Sequence, residues 1–122
     1  MKRILIVEDQ PTSRELLRAV LEKQGHHVHE TTNGQEALQA VSEYMPDLVL
    51  MDLQIPAPDG YAVLKVIRSN NQLSRLPVVA LTASAMQGDR EKALQAGFTG
   101  YLAKPVALDD LRREVNRLLG ME

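Results

Sequence analysis

The run Ile4-Leu5-Ile6-Val7, followed at once by Glu8 and Asp9, decides the fold. A continuous apolar, β-branched run of this size suits a strand buried on both faces, as in a parallel sheet. The pattern recurs at Leu48-Val49-Leu50-Met51, which stops on Asp52, and at Val78-Val79-Ala80-Leu81, which stops on Thr82. His27-Val28-His29-Glu30 alternates with polar residues and reads as an edge strand; Gly100-Tyr101-Leu102-Ala103 is a fifth strand. Helical patterns lie between them. Leu16, Leu17, Val20 and Leu21 repeat at three-to-four spacing between Pro11 and Gly25. Ala37, Leu38 and Val41 follow Asn33-Gly34 and end before Pro46, and Val63, Leu64 and Ile67 form a third stripe. Residues 86–96 carry the thinnest one (Met86, Ala93, Leu94), stopped by Gly97. Leu108, Leu111, Val115, Leu118 and Leu119 make the last and clearest. The order is βα five times, which implies an α/β parallel sheet with helices on both faces and right-handed crossovers.

The chain of 122 residues fits one domain, residues 1–122, without repeat, linker or low-complexity stretch. It has no cysteine, which excludes a disulfide scaffold and a thiolate zinc site and fits a reducing cytoplasm. A net charge of −2 argues against a basic nucleic-acid module. No apolar run approaches the roughly 20 residues of a membrane helix. Met1-Lys2-Arg3 leads into only four apolar residues before Glu8, so no signal peptide is expected.

In an open α/β sheet, ligands bind outside the carboxyl ends of the strands. Those ends carry Glu8 and Asp9, Asp52, Thr82 and Lys104. Any one of these residues alone reads as a cap or turn residue. Together they fall at the same end of their strands. Like charges about 4 Å apart cost roughly 1–4 kcal/mol per pair in a partly exposed site, so three clustered carboxylates need a cation. Oxygen ligands without His or Cys suit Mg²⁺. Three carboxylates, one Mg²⁺ and one Lys are together neutral, a setting in which a phosphoryl group finds its charge screened. One carboxylate could attack it to form an acyl phosphate, while the hydroxyl and the ammonium take its remaining oxygens.

At this point the chain resembles the receiver domains of two-component response regulators, over essentially its whole length. The matching pieces are Ile6-Val7-Glu8-Asp9, Leu48-Val49-Leu50-Met51-Asp52, Pro56 and Gly60, Ala80-Leu81-Thr82-Ala83, and Tyr101-Leu102-Ala103-Lys104-Pro105. Each piece is weak alone; all five in order are specific. The resemblance implies a flavodoxin-like (βα)5 fold with strand order 2-1-3-4-5, which sets Asp9 beside Asp52. It implies that Asp52 accepts a phosphoryl group from a sensor histidine kinase or histidine phosphotransfer protein. Asp9, Asp52 and the backbone carbonyl of Gln54 would hold Mg²⁺, with Glu8 acting through a bound water. Thr82 and Lys104 would contact the phosphoryl group, Pro105 would follow a cis peptide bond, and Tyr101 would be the switch aromatic, buried when Thr82 moves inward. Gln54 and Ser84, each two positions past a site residue, would bear on the lifetime of the acyl phosphate. Output would pass to a downstream protein through the face of the fourth helix, fifth strand and fifth helix. The resemblance implies a phosphoacceptor that assists its own chemistry, not an enzyme in the ordinary sense, with no direct nucleic-acid or membrane partner.

Other residues read more plainly. His26, His27 and His29 lack a third ligand and read as solvated edge residues. Arg112, Arg113 and Arg117 read as a solvated helix face, with docking as the alternative; Asp109 and Asp110 suit the dipole of that helix. Tyr44 and Tyr61 read as packing residues, Asp47 and Asp59 as turn residues, and Glu30, Thr31 and Thr32 as loop. Pro58 stiffens the loop after Asp52. An Asp-nucleophile phosphatase of the haloacid dehalogenase type wants Asp-x-Asp after its first strand, where Glu8-Asp9-Gln10 stands. A flavin module wants a Ser/Thr/Gly-rich loop where two acids stand. An inert pseudo-receiver would lack a site residue, and none is missing. An excised receiver, from a regulator with an output domain or from a hybrid kinase, is the remaining variant; the start at Met1 disfavours the kinase's C-terminal position.

Overall fold

The computed structural model describes residues 2–83 and 86–120. Met1, Ser84, Ala85, Met121 and Glu122 lie outside the described residues. Five strands, β1 (Arg3–Val7), β2 (His27–Thr31), β3 (Leu48–Asp52), β4 (Val78–Thr82) and β5 (Gly100–Ala103), alternate with five helices. The helices are α1 (Pro11–Lys23), α2 (Gly34–Tyr44), α3 (Gly60–Ser69), α4 (Asp89–Ala96) and α5 (Leu108–Leu119). All strand pairs are parallel, in the order β2-β1-β3-β4-β5, the flavodoxin-like arrangement.

Alternation along each buried strand builds two cores. Leu5, Val7, Val49, Met51, Val78 and Ala80 face one way, onto Ala37, Val41, Val63, Leu64, Ile67, Ala93 and Phe98 of the α2–α4 layer. Ile4, Ile6, Leu48, Leu50, Val79 and Leu81 face the other, onto Leu17 and Leu21 of α1 and Leu111 and Val115 of α5. Truncating one of these fully buried leucines to Ala would cost about 2–5 kcal/mol.

Local chemistry sets the helix ends. Asn33 Oδ1 accepts from Glu36 N–H at 2.8 Å, and Glu36 Oε1 accepts from Thr32 N–H at 3.0 Å, a reciprocal cap. Asp59 Oδ1 caps α3 through Ala62 N–H at 2.9 Å. α1 begins on Pro11 with no side-chain cap.

Several expectations need correction. The fourth helix spans Asp89–Ala96, not residues 86–96; Met86 is 71% exposed, and among the described residues Ala93 alone anchors the helix inward. Leu16 points outward at 48% exposure because Leu17 and Leu21 already fill the seam of α1 with the sheet. β2 extends through Thr31, which is buried and donates its hydroxyl to Ile6 O at 3.2 Å. His26 is not a solvated edge residue: it is 5% exposed at the entry to β2. The Pro58 carbonyl seats against the N-terminus of α2, where a Cβ on Gly34 would stand 1.9 Å from it. Ala57-Pro58 and Lys104-Pro105 are both cis peptides, the second as the resemblance implies.

Candidate functional site

The site is made where strands end. In the β1–β3 register Val7 lies opposite Met51, so the next residues along, Glu8 and Asp52, come side by side. Glu8 N–H extends the ladder to Thr31 O at 3.0 Å, which holds Glu8 in line with its strand. Its side chain is fully buried, and Asp52 is 4% exposed. Thr82 closes β4 at 4% exposure, and Lys104 N–H donates to Thr82 O at 2.7 Å, which carries β5 past the edge of the sheet. Asp9 stands just outside, exposed to solvent.

The Lys104 ammonium joins the two buried acids. Nζ lies 2.8 Å from Asp52 Oδ2 and 2.5 Å from Glu8 Oε2. The other Asp52 oxygen, Oδ1, accepts from Gln54 N–H at 2.8 Å, so the nucleophile candidate is fixed at both oxygens. Glu8 Oε1 accepts from Gln10 N–H at 3.2 Å, and Arg14 Nη1 donates to the Glu8 carbonyl at 3.0 Å. Gly60 packs against the end of β3: a Cβ there would stand 3.0 Å from Asp52 O and from Leu53 Cα. That close approach gives the glycine a physical reason.

Burial and hydrogen bonding act on the three groups in different directions. Burial, and after it the hydrogen bond with Asp52, pushes Glu8 above the ordinary carboxylate range. Burial acts on Asp52 in the same direction, but hydrogen bonds with Glu8, Lys104 and Gln54 N–H outweigh it and hold Asp52 below its usual value. Burial lowers the Lys104 ammonium, and the two carboxylates more than offset this, so its net shift is upward. The ammonium and the Gln54 N–H thus both favour the ionised form of Asp52.

Oxygens of Glu8, Asp9 and Asp52 lie within 4.8 Å of one another, the one group of three metal-ligating side chains among the described residues. Oxygen-only donors with a buried carboxylate at the base fit a hard divalent cation such as Mg²⁺. Beside them a cleft of about 340 Å³ opens along Gln54, Tyr61, Thr82 and Lys92. Tyr101 is half-buried, and its hydroxyl is buried with no hydrogen-bond partner among the described residues.

The structure thus gathers Glu8, Asp9, Asp52, Gln54, Thr82 and Lys104 at one edge, with Tyr101 on the strand that leads to Lys104. Ser84 lies outside the described residues. The bond from Arg14 to the acid loop has no signature in spacing: in the sequence Arg14 is one more cation on an amphipathic helix. His27 and His29 belong to no metal-ligating group among the described residues; His29 stacks on Tyr44 with centroids 5.0 Å apart. Asp47 accepts from Arg3 N–H at 2.8 Å, which ties the entry of β3 to the start of β1 rather than closing a local turn. Arg112, Arg113 and Arg117 pair with Asp109, Asp110 and Glu114 on their own helix.

Comparison with known proteins gives a consistent picture. The family model of the response regulator receiver domain matches residues 4–116. The polar-differentiation response regulator DivK of Brucella anthropi is 38% identical over 119 residues, covering 98% of this chain and 97% of that protein. The receiver domain of the sensor histidine kinase PA1611 from Pseudomonas aeruginosa, solved with a magnesium ion in its active-site cleft, is 39% identical. It superposes with a TM-score of 0.89 over 98% of both chains. The chemotaxis response regulator CheY4 of Vibrio cholerae is 26% identical, with a TM-score of 0.90 over 98% of this chain and 99% of that one.

Proposed function

This chain belongs to the response regulator receiver domain family, and on that premise we propose that residues 1–122 form one phosphoacceptor unit whose acceptor is Asp52. The observation that carries the reading is the geometry at Asp52, which is buried at the end of β3 beside Glu8. Asp52 is held anionic and fixed at both oxygens, with Lys104 at 2.8 Å to meet the incoming group.

An Asp52 oxygen attacks the phosphorus of a phosphohistidine on a sensor histidine kinase or histidine phosphotransfer protein. The O–P bond forms, the P–N bond breaks, and its electron pair leaves with the donor's imidazole. Lys104, already between Glu8 and Asp52, takes a phosphoryl oxygen by a charge-assisted hydrogen bond. The Thr82 hydroxyl takes another. Asp9, Asp52 and the Gln54 carbonyl would hold Mg²⁺ directly and Glu8 through water; when bound, the ion screens the crowded carboxylates and phosphoryl oxygens. Later attack by water on phosphorus returns the Asp52 carboxylate and inorganic phosphate. The protein thereby assists its own phosphorylation and dephosphorylation and works in the cytoplasm, where ATP-charged kinases act.

The output is a population shift. The phosphoryl group supplies hydrogen bonds available only when Thr82 turns inward, and Tyr101 follows into the space beside β4. The responsive face is α4, β5 and α5, read by a downstream protein. α4 suits this role: it buries Ala93 and starts on Gly88 without a side-chain cap. Near-identical amide exchange in α4 with and without beryllofluoride would count against that face.

The acceptor reading is tested by incubating the protein with Mg²⁺ and acetyl phosphate and taking an intact mass, beside Asp52→Asn and an EDTA control. One phosphoryl adduct, absent from the variant and from the control, is expected. An adduct of equal yield on Asp52→Asn would overturn the reading.

A further inference from the structure

The acids of the β1–α1 loop stand at a helix start without a side-chain cap. Gln10 makes no capping bond, and the first turn of α1 holds no acidic residue. Gln10 N–H and Lys104 hold the Glu8 carboxylate, and the main chain of the loop has a further tether of its own. Arg14 sits one turn into α1 with its side chain 20% exposed. Its Nη1 donates to the Glu8 carbonyl at 3.0 Å, and its own N–H closes the first helical bond to Gln10 O at 3.0 Å. Its Nε faces Glu30 Oε1 at 3.9 Å, near the end of β2, and Arg18 reaches the same oxygen at 3.2 Å. Glu30 therefore steadies the guanidinium from the edge strand while the guanidinium steadies the loop. With Glu8 N–H bonded to Thr31 O, both backbone polar groups of Glu8 are held.

We propose that Arg14 is a positioning residue for the cation site: it fixes the Glu8 carbonyl, and so the aim of Glu8 and Asp9, with Glu30 as its brace. This deepens the reading of Glu8, Asp9 and Asp52 as a Mg²⁺ site and rests on it. The proposal has a distinctive sign. As a bare positive charge near an anionic site, Arg14 repels Mg²⁺, and its removal would tighten binding. As a positioning group, its removal loosens the carboxylates and weakens binding, as loss of partners that orient metal ligands generally does. Lysine keeps the charge but loses the planar fork that serves the carbonyl and Glu30 together.

The test is calorimetric titration of Mg²⁺ into the wild-type chain, Arg14→Met, Arg14→Lys, Glu30→Gln and Asp9→Asn, with thermal unfolding of each in EDTA. Arg14→Met is expected to weaken Mg²⁺ binding on the order of 10-fold, Arg14→Lys nearly as much, and Glu30→Gln less, with the folded state retained in EDTA. Unchanged or tighter binding in both Arg14 variants would overturn the proposal. If Arg14→Met does not fold in EDTA, Arg14→Lys decides by the same criterion. If the wild-type chain takes up no Mg²⁺, or Asp9→Asn binds as it does, the metal site itself is refuted and the role of Arg14 with it, a different signature from failure at Arg14 alone.

Discussion

Replacing Lys104 with Met should unsettle the metal-free fold in a way that depends on pH. Lys104 Nζ is 2.5 Å from Glu8 and 2.8 Å from Asp52, with Lys104 12%, Glu8 0% and Asp52 6% exposed at the side chain. Each contact is worth about 6 kcal/mol gross at an effective dielectric near 20, and much of that offsets the desolvation of the three groups. Removing one partner of a buried ion pair costs about 3–5 kcal/mol. The lower end applies here, because Glu8, already raised above its ordinary range, can relieve the pair by binding a proton. A loss of about 3 kcal/mol, with a urea slope near 2 kcal/mol/M, moves the midpoint down by about 1.5 M. The variant raises Glu8 further above its unfolded value and removes the ammonium that helps hold Asp52 below its own. At Glu8 the folded variant then binds the extra proton, so stability is kept below the unfolded value near pH 4 and lost as pH rises; at Asp52 the wild type loses, as pH falls, stability that its ammonium partner had given it. Urea unfolding in EDTA should therefore show the gap between wild type and variant widening from pH 4 to pH 8. A midpoint shift under 0.5 M at pH 8, or one independent of pH, would refute the assignment of Lys104 as counter-ion of the buried pair.

Gly34→Ala should cost about 1–3 kcal/mol, since its Cβ would stand 1.9 Å from the Pro58 carbonyl and the acceptor-side loop must yield; an unchanged urea midpoint would contradict that packing. His26 is buried, and burial lowers its pKa. The unfolded chain thus binds the extra proton, and stability should fall as pH drops through about 6.5. His26→Leu should flatten that limb between pH 7 and 5, and equal slopes in the two proteins would count against it. Arg68 donates to Gly97 O, Leu73 O and Thr99 Oγ1, so Arg68→Met should cost about 2–3 kcal/mol by chemical unfolding, and a change below 0.5 kcal/mol would mean that these bonds contribute nothing net.

The sheet was legible because its strands are buried on both faces. Ile4–Val7 and Leu48–Met51 leave no other reading, and their register follows once β1 and β3 are neighbours. The gathering of Glu8, Asp9, Asp52, Thr82 and Lys104 at one edge was legible for the same reason: where an apolar strand stops, the next side chain lies at the sheet's edge. The order of strands was not readable from periodicity and came from the family resemblance. Helix boundaries were less legible where apolar anchors are few. Met86 belongs to a helical spacing yet lies before α4, because its side chain is exposed and Gly88, at a φ of 91°, breaks the helical backbone behind it, while Met86 itself is tied into a turn by hydrogen bonds with Asp89. His26 was misread because polarity at an edge strand suggests solvent, whereas the turn at Gln24 and Gly25 folds His26 inward. Arg14 was invisible because a bond to a main-chain carbonyl leaves no pattern in the side chains. The seat of Pro58 on Gly34 was missed for a similar reason: the contact is backbone on backbone.

The central claim is that a phosphoryl group forms an acyl phosphate on Asp52. The most direct measurement is reduction of the acetyl phosphate-treated, Mg²⁺-loaded protein with sodium borohydride, followed by peptide mass mapping, because hydride converts an aspartyl phosphate to homoserine at the residue that carried it. The account predicts homoserine at position 52 and unmodified aspartate at position 9. Homoserine at position 9, or at neither position while the intact protein carries the phosphoryl mass, would contradict it.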